Sequence, residues 1–307
     1  MLDLSHIPNS QQDIKIFYTN PGATIYQTWQ KPRKCSFIYI ISIDAGGGGS
    51  SGVSTILNTA ANPTSYGIGG GSGAVTRALI NSNLVPDTLY IRVGKGGNGG
   101  ATTSAANNTS NSGSTGEASG VFISSQLNSL NNLAQVVSFL GGAVANNGGV
   151  LGVLAPGTPA SALGNNYLIG LTNFISLVGK STFGLITGEP PLTSNILTSG
   201  GNGGYYDGTS TPINGTDILS SSISPLIAGG IGGSTLGGNG ANGYTSWKPF
   251  FSTGGAGGGN AYTAGGVAGS GGKGGIGSGG AGGGHANAGT SGRGGDGGDG
   301  IVMIITF

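Results

Sequence analysis

The sequence predicts an all-β protein: a jelly-roll-like β-sandwich carrying packed glycine-rich loops of polyglycine-II type, with little or no helix. Three observations lead there. A run of β-branched and aromatic residues, Phe37-Ile38-Tyr39-Ile40-Ile41-Ser42-Ile43, feeds directly into Ala45-Gly46-Gly47-Gly48-Gly49, and that composition favours strand. From Gly254 to Gly300 nearly every second or third residue is Gly, and the tract stops at an apolar run, Ile301-Val302-Met303-Ile304-Ile305-Thr306-Phe307. The other apolar stretches are short and broken by Gly and Pro, which permits strands and turns but no long helices. The chain divides into an N-terminal arm at 1–25 and a single sandwich at 26–307. The Gly-rich region is 200–300, the closing strand is 301–307, and the first and last strands are expected to pair.

The arm is polar, with Ile14-Lys15-Ile16-Phe17-Tyr18 as its clearer apolar patch. Tyr26 to Trp29 precedes Pro32, which suits an edge strand or a turn. Ala74 to Ile80 is a short apolar segment. Leu89-Tyr90-Ile91-Arg92-Val93 alternates like a half-buried strand, after the turn-forming Pro86-Asp87. Residues 98–116 are mostly Gly, Asn, Ser and Thr and read as a loop. Val121-Phe122-Ile123 and Ala134 to Leu140 are further strands, and Gln126 to Val136 is the one place with room for a short helix. Leu151 to Leu197 is interrupted by Pro156, Pro159, Gly164, Gly170, Gly179, Gly184, Pro190 and Pro191, and reads as short strands and turns.

Within the glycine mass, non-Gly residues recur every third place, as at Lys273 and Ile276 and at Arg293, Asp296 and Asp299. Three residues per turn is the polyproline-II period. Collagen shares it but needs Pro-rich triplets, and after Pro225 the only Pro is Pro249. Ordering a Gly costs on the order of 1–2 kcal/mol of backbone entropy, and Gly has no side chain to bury in return. An ordered tract needs another favourable term, and satisfied main-chain N–H and C=O groups supply it. Extended segments without Cβ atoms can lie side by side and exchange those bonds.

Charge narrows function. Only 7% of the 307 residues are charged and the formal net charge is +1, so no basic face is available for nucleic acid. Cys35 is the single cysteine; it cannot form an internal disulfide and reads as a small buried hydrophobe. No apolar run reaches the roughly 18 residues of a membrane span. Met1 to Ile7 lacks the pattern of a signal peptide, so assembly inside a cell and release by another route is the expectation.

The motifs that suggest chemistry have plainer explanations. Val93-Gly94-Lys95-Gly96-Gly97-Asn98-Gly99 is a strand followed by GxGxxG, but the helix that would meet a pyrophosphate does not follow. Gly294 to Val302 fits one copy of the calcium-binding nonapeptide, with Asp296 and Asp299 as its acids; that motif works by tandem stacking, so turn aspartates are the reading taken. The two histidines, His6 and His285, pair with no evident nucleophile and acid. No cofactor, metal site or catalytic residue is expected. Aromatics on Gly-rich loops are the candidate contact residues: Tyr205, Tyr206 and Trp247, with Phe250 and Phe251 read as core or as caps on the glycine bundle.

An ordered set of short elements resembles the glycine-rich domains of bacteriophage tail fibres, adhesins and related virion proteins. The set is Trp29-Gln30-Lys31-Pro32, the 37–43 strand running into Ala45 to Gly49, Leu89 to Gly97, and Gly297 to Phe307. The resemblance implies a non-enzymatic virion protein, a fibre, spike or decoration protein contacting a host glycan or protein. Residues 1–25 would attach it to other virion proteins, and a homo-oligomer is expected. A purely architectural capsid or tail protein, a glycan-degrading tail-spike enzyme and a cellular surface filament protein are the alternatives.

Overall fold

A computed structural model describes residues 13–20, 26–55, 66–104, 109–123, 135–138, 174–177, 197–205, 211–218, 226–247 and 250–307. Among these the regular elements are strands, apart from one turn of 3-10 helix at Ser82–Leu84. The strands are β1 (Asp13–Phe17), β2 (Gln27–Gln30), β3 (Phe37–Ile43), β4 (Ser54–Thr55), β5 (Val75–Asn81), β6 (Thr88–Arg92), β7 (Gly120–Phe122), β8 (Gln135–Ser138), β9 (Phe174–Leu177), β10 (Thr245–Trp247), β11 (Phe250–Ser252), β12 (Ala286–Asn287) and β13 (Ile301–Thr306). Of the short helix expected at Gln126 to Val136, Gln135 and Val136 begin β8, and 126–134 lie outside the described residues. Within Leu151 to Leu197 only β9 and Leu197 are described.

A five-stranded sheet runs β1-β13-β3-β5-β9 and a four-stranded sheet runs β2-β6-β7-β8, with every neighbouring pair antiparallel. The expected closure is present: β13 lies on β3, with Ile301 opposite Ile43 and Thr306 opposite Ile38. The sheet begins earlier than the expected boundary at Tyr26. β1, inside the segment read as an arm, pairs along the other side of β13. Its Ile14 and Ile16 alternate with polar neighbours, the pattern of an edge strand, but each stays 40% exposed, so burial gave the sequence no strong signal there.

The long apolar runs are explained by burial on both sides of the five-stranded sheet. Ile38, Ile40, Val302 and Ile304 face the other sheet and meet Trp29, Leu89, Ile91 and Val121 in one core. Ile41, Ile43, Ile301 and Met303 point the opposite way, onto Leu197 and Phe250. Cys35 packs half-buried against the first core as a free thiol.

Where β3 ends and β13 begins, the chain becomes a set of extended rods bonded through the main chain. Successive N–H groups of one rod go to three different neighbours. In the first rod, Gly46 and Gly49 donate to Gly298 and Gly295, Gly47 and Ser50 donate to Gly71 and Ile68, and Gly48 and Ser51 donate to Ser114 and Asn111. That three-way repeat is the three-residue turn inferred from sequence.

The 277–287 rod is the centre. It donates to rods 198–204, 47–53 and 269–275, and accepts from rods 67–73, 255–261 and 292–298, so it is hydrogen-bonded on six sides. The 253–261 rod is enclosed in the same way, donating to rods 277–287, 237–244 and 213–218 and accepting from 198–204, 228–233 and 267–276. These contacts arrange the rods in three rows. The outer rows are 94–103, 290–300, 267–276 and 237–244 on one side, and 67–74, 198–205 and 213–218 on the other. The middle row is 110–117, 44–53, 277–287, 253–261 and 228–233.

Glycine is required here by close approach. A β-carbon on Gly283 would collide with the carbonyl of Gly292, and one on Gly282 with the carbonyl of Gly67. Between 277 and 284 the only side chains the central rod carries are those of Ser278 and Ala281.

Candidate functional site

A rod at the boundary of such an array has N–H groups with no further rod to meet. Side chains at three-residue spacing fill part of that deficit. Ser270, Lys273 and Ile276 donate their N–H groups to Asn239 Oδ1 (2.8 Å), Asn242 Oδ1 (2.9 Å) and Thr245 Oγ1 (3.0 Å) of the neighbouring rod. Gly229 and Gly232 donate to Asp217 Oδ1 (2.6 Å) and Asn214 Oδ1 (2.9 Å). Gly96 and Gly99 donate to Asp299 Oδ1 (2.9 Å) and Asp296 Oδ1 (2.8 Å). An acceptor three residues from the next has the same pitch as the rod beside it, which is why the spacing recurs.

Asp296 and Asp299, the acids of the nonapeptide, each give one oxygen to that task. Burial would raise the Asp296 carboxyl, but the Gly99 N–H, the Arg293 guanidinium and the Lys273 charge outweigh it and hold it below the ordinary value. No group of three or more His, Cys, Asp or Glu side chains that could hold a metal ion occurs among the described residues.

The array has two ends. The near end abuts the sandwich and carries the β10–β11 hairpin. Phe250 joins the core beneath the five-stranded sheet, and Trp247 stands against it, 40% exposed, with ring centroids 5.6 Å apart. Tyr244 and Phe251 form a second ring pair at 6.0 Å. At the far end Tyr205 packs on Tyr66, centroids 6.1 Å apart. The buried Asn260 ties that end down: Nδ2 donates to the Tyr205 carbonyl (3.0 Å), and Oδ1 accepts from Ile213 N–H (2.8 Å). The structure therefore separates two candidate contact residues that sequence had grouped. The 253–261 rod runs from the hairpin to the far end, and at about 3.1 Å per residue Trp247 and Tyr205 lie roughly 25 Å apart along it. Tyr206 lies outside the described residues.

Two buried titratable groups mark the same two ends. Asp44 sits where β3 becomes a rod. Its Oδ1 accepts from Ser119 N–H at 2.8 Å, while Oδ2 has no hydrogen-bond partner among the described residues. Burial pushes its carboxyl well above the usual range, opposed by the Ser119 bond. His285 is buried near the far end of the central rod, with Nε2 2.7 Å from Thr55 Oγ1. Burial lowers its pKa to about 4, so the ring is neutral at pH 7. It is enclosed by rods and presents no open face for catalysis.

Sequence reasoning did not identify Asn214, Asn239 and Asn242 as boundary acceptors. The signal was present as the 239/242/245 step, the same step that was noted at 293/296/299.

A family model described as a glycine-rich domain matches residues 19–306. No curated protein matches the chain. Among the described residues no helix is long and apolar enough to cross a membrane.

Proposed function

This chain belongs to the family of glycine-rich domains, and from that premise we propose that it is a non-enzymatic structural protein of a virion, a phage fibre, spike or decoration protein that holds its loops rigidly toward a host surface. The observation that carries this reading is the central rod, hydrogen-bonded on six sides. A segment so enclosed has no freedom to bend, and the rods around it share its restraint. The array is thus a strut, with the sandwich at one end and the Tyr66–Tyr205 ring pair at the other.

An aromatic face at the end of a restrained rod, as Tyr205 is, loses little entropy when it meets a glycan or protein. Attachment to the particle would come from the sandwich end. There β1 is an edge strand with Ile14 and Ile16 half-exposed, a surface to which another chain can add.

The test has two parts. Antibody against the recombinant protein should label purified particles in electron micrographs, and free protein should slow adsorption of those particles to host cells. A Tyr205→Ala variant should compete less well. Unlabelled particles would remove the virion reading. Labelled particles whose adsorption is indifferent to free protein would leave an architectural role in place of display.

A further inference from the structure

Six Asn-Gly pairs occur in the sequence, at Asn98, Asn147, Asn202, Asn214, Asn239 and Asn242. Asn147 lies outside the described residues. Asn followed by Gly is the pair most prone to spontaneous loss of the side-chain amide, because Gly has no β-carbon to obstruct attack by its main-chain nitrogen on the Asn Cγ. The reaction needs two freedoms. The carboxamide must swing toward that nitrogen, and the nitrogen must give up its proton. Each Asn must also leave the extended rod conformation for a moment, so the rate follows local opening.

Four of the five described pairs lack both freedoms. Asn239 Oδ1 and Asn242 Oδ1 accept the N–H groups of Ser270 and Lys273, and Gly240 and Gly243 donate to the carbonyls of the same two residues at 2.9 and 2.7 Å. Asn214 Oδ1 accepts from Gly232, while Gly215 donates to the Gly230 carbonyl. Asn202 Oδ1 accepts from Gly69, while Gly203 donates to the Gly67 carbonyl. A carbonyl accepts the hydrogen bond but does not take the proton, whereas a carboxylate can.

Asn98-Gly99 is built differently. Its main chain is bonded to Ser114, N–H to Oγ at 2.7 Å and carbonyl to N–H at 2.8 Å. Its carboxamide, however, is exposed and makes no hydrogen bond among the described residues. Exposure alone does not set it apart, because Asn214, Asn239 and Asn242 are exposed as well. The Gly99 N–H donates to a carboxylate, Asp296 Oδ1, at 2.8 Å. The side chain is thus free to swing, and a proton acceptor already stands at the attacking nitrogen.

We propose that Asn98 is a modification site, converted spontaneously to aspartate and isoaspartate through a cyclic imide, while the bonds of the array spare Asn202, Asn214, Asn239 and Asn242. A bond forms from Gly99 N to Asn98 Cγ, and the Cγ–Nδ2 bond breaks. The Gly99 proton passes by way of the Asp296 carboxylate to the departing nitrogen, which leaves as ammonia. Water then opens the ring at either carbonyl. Opening at one restores the main chain; opening at the other routes it through the side chain and lengthens it by a carbon. The lengthened chain no longer keeps the pitch that brings Gly100 N–H to the Gly49 carbonyl. Both products add a negative charge beside Asp296. The inference stands on the array's hydrogen bonds and does not depend on the virion reading.

Ageing the full chain in neutral buffer tests it, with tandem mass spectrometry of its peptides and enzymatic methyl transfer to detect isoaspartate. In the native protein Asn98 should convert about ten-fold or more faster than any of the four bonded asparagines. In denaturant the five rates should converge, because each is then an unrestrained Asn-Gly pair. Asp296→Asn keeps an oxygen for the Gly99 N–H and removes the base; it should slow conversion at Asn98 several-fold with the melting curve unchanged. The proposal is overturned if Asn98 keeps its amide while a bonded asparagine converts, or if all five convert at one rate in the native state. It is equally overturned if none converts before the protein unfolds, or if Asn98 in Asp296→Asn converts at or above the wild-type rate.

Discussion

In the sandwich, Ile38, Ile40, Ile304 and Leu89 are fully buried and meet across two sheets. In the array, the central rod buries no side chain between 277 and 284 beyond those of Ser278 and Ala281, and nothing larger until it reaches His285. The two halves of one chain are stabilised by different terms. A buried Ile contributes about 1.5–3 kcal/mol by leaving water, so each sandwich position carries its own share. A main-chain hydrogen bond contributes on the order of 1 kcal/mol net, close to what fixing one Gly costs. A single rod therefore gains nothing by ordering. The array becomes favourable only where nearly every N–H and C=O of a rod is engaged, which is the state of 277–287 and 253–261. The sandwich is a sum of contributions and the array is a threshold.

The sharpest way to break that contrast is to add atoms to the array and remove them from the sandwich. Gly283→Val inserts side-chain carbon where even a β-carbon meets the Gly292 carbonyl. It is expected to abolish the array, read as loss of its amide protection with the sandwich strands still protected. Ile304→Ala deletes carbon from a fully buried site and should cost about 2–5 kcal/mol in denaturant unfolding while leaving the array's protection pattern unchanged. If the two substitutions had equal and global effects, the two regions would not be stabilised separately.

Acidity separates the ends. His285 is neutral when folded, with its pKa lowered to about 4 from an unfolded value near 6.5. The unfolded state binds more protons between those values. Its contribution is therefore full above about pH 6.5 and is lost as pH falls toward 4, on the order of 3 kcal/mol. Thermal melts of His285→Gln should lack that acid limb.

Asp44 has the opposite sign. Its folded pKa is raised, so the folded state holds the extra proton. Its contribution is full below the unfolded value near 4 and is lost as pH climbs through the folded one. Asp44→Asn should flatten the stability profile on that side. An Asp44→Asn profile that still falls as pH rises from 4 would show that the buried carboxyl is not its source.

The boundary acceptors give the smallest effect. Asn242→Ala removes the acceptor for Lys273 N–H at an exposed position where water can replace it. The expected cost is about 0.5–1.5 kcal/mol, measurable as a shift in the denaturant midpoint, with Asn242→Asp largely preserving the wild-type value. A cost as large as that of Gly283→Val would mean that the boundary, not the interior, sets the threshold.

What the sequence revealed follows the same division. The strands at Phe37–Ile43, Thr88–Arg92 and Ile301–Thr306 were legible because side chains report which face is buried. β1 was missed as part of the sheet because an edge strand buries little. The three-residue pitch of the array was legible from the Lys273/Ile276 and Asp296/Asp299 steps. Which rod lies beside which was not, because glycine carries no side chain to distinguish one neighbour from another. The far-end placement of Tyr205 and the near-end placement of Trp247 depend on rod direction, and rod direction depends on those unmarked contacts.

Residue-resolved amide exchange measures the central claim most directly. The account predicts slow exchange through Gly279 to Ala286 and Gly255 to Ala261, with fast exchange at the Ala228 and Ile231 amides of the outermost rod, which meet no main-chain acceptor among the described residues. Exchange throughout the 255–261 and 279–286 rods at the rate of a free peptide would mean that the main-chain bonds do not hold the array, and the account would fail.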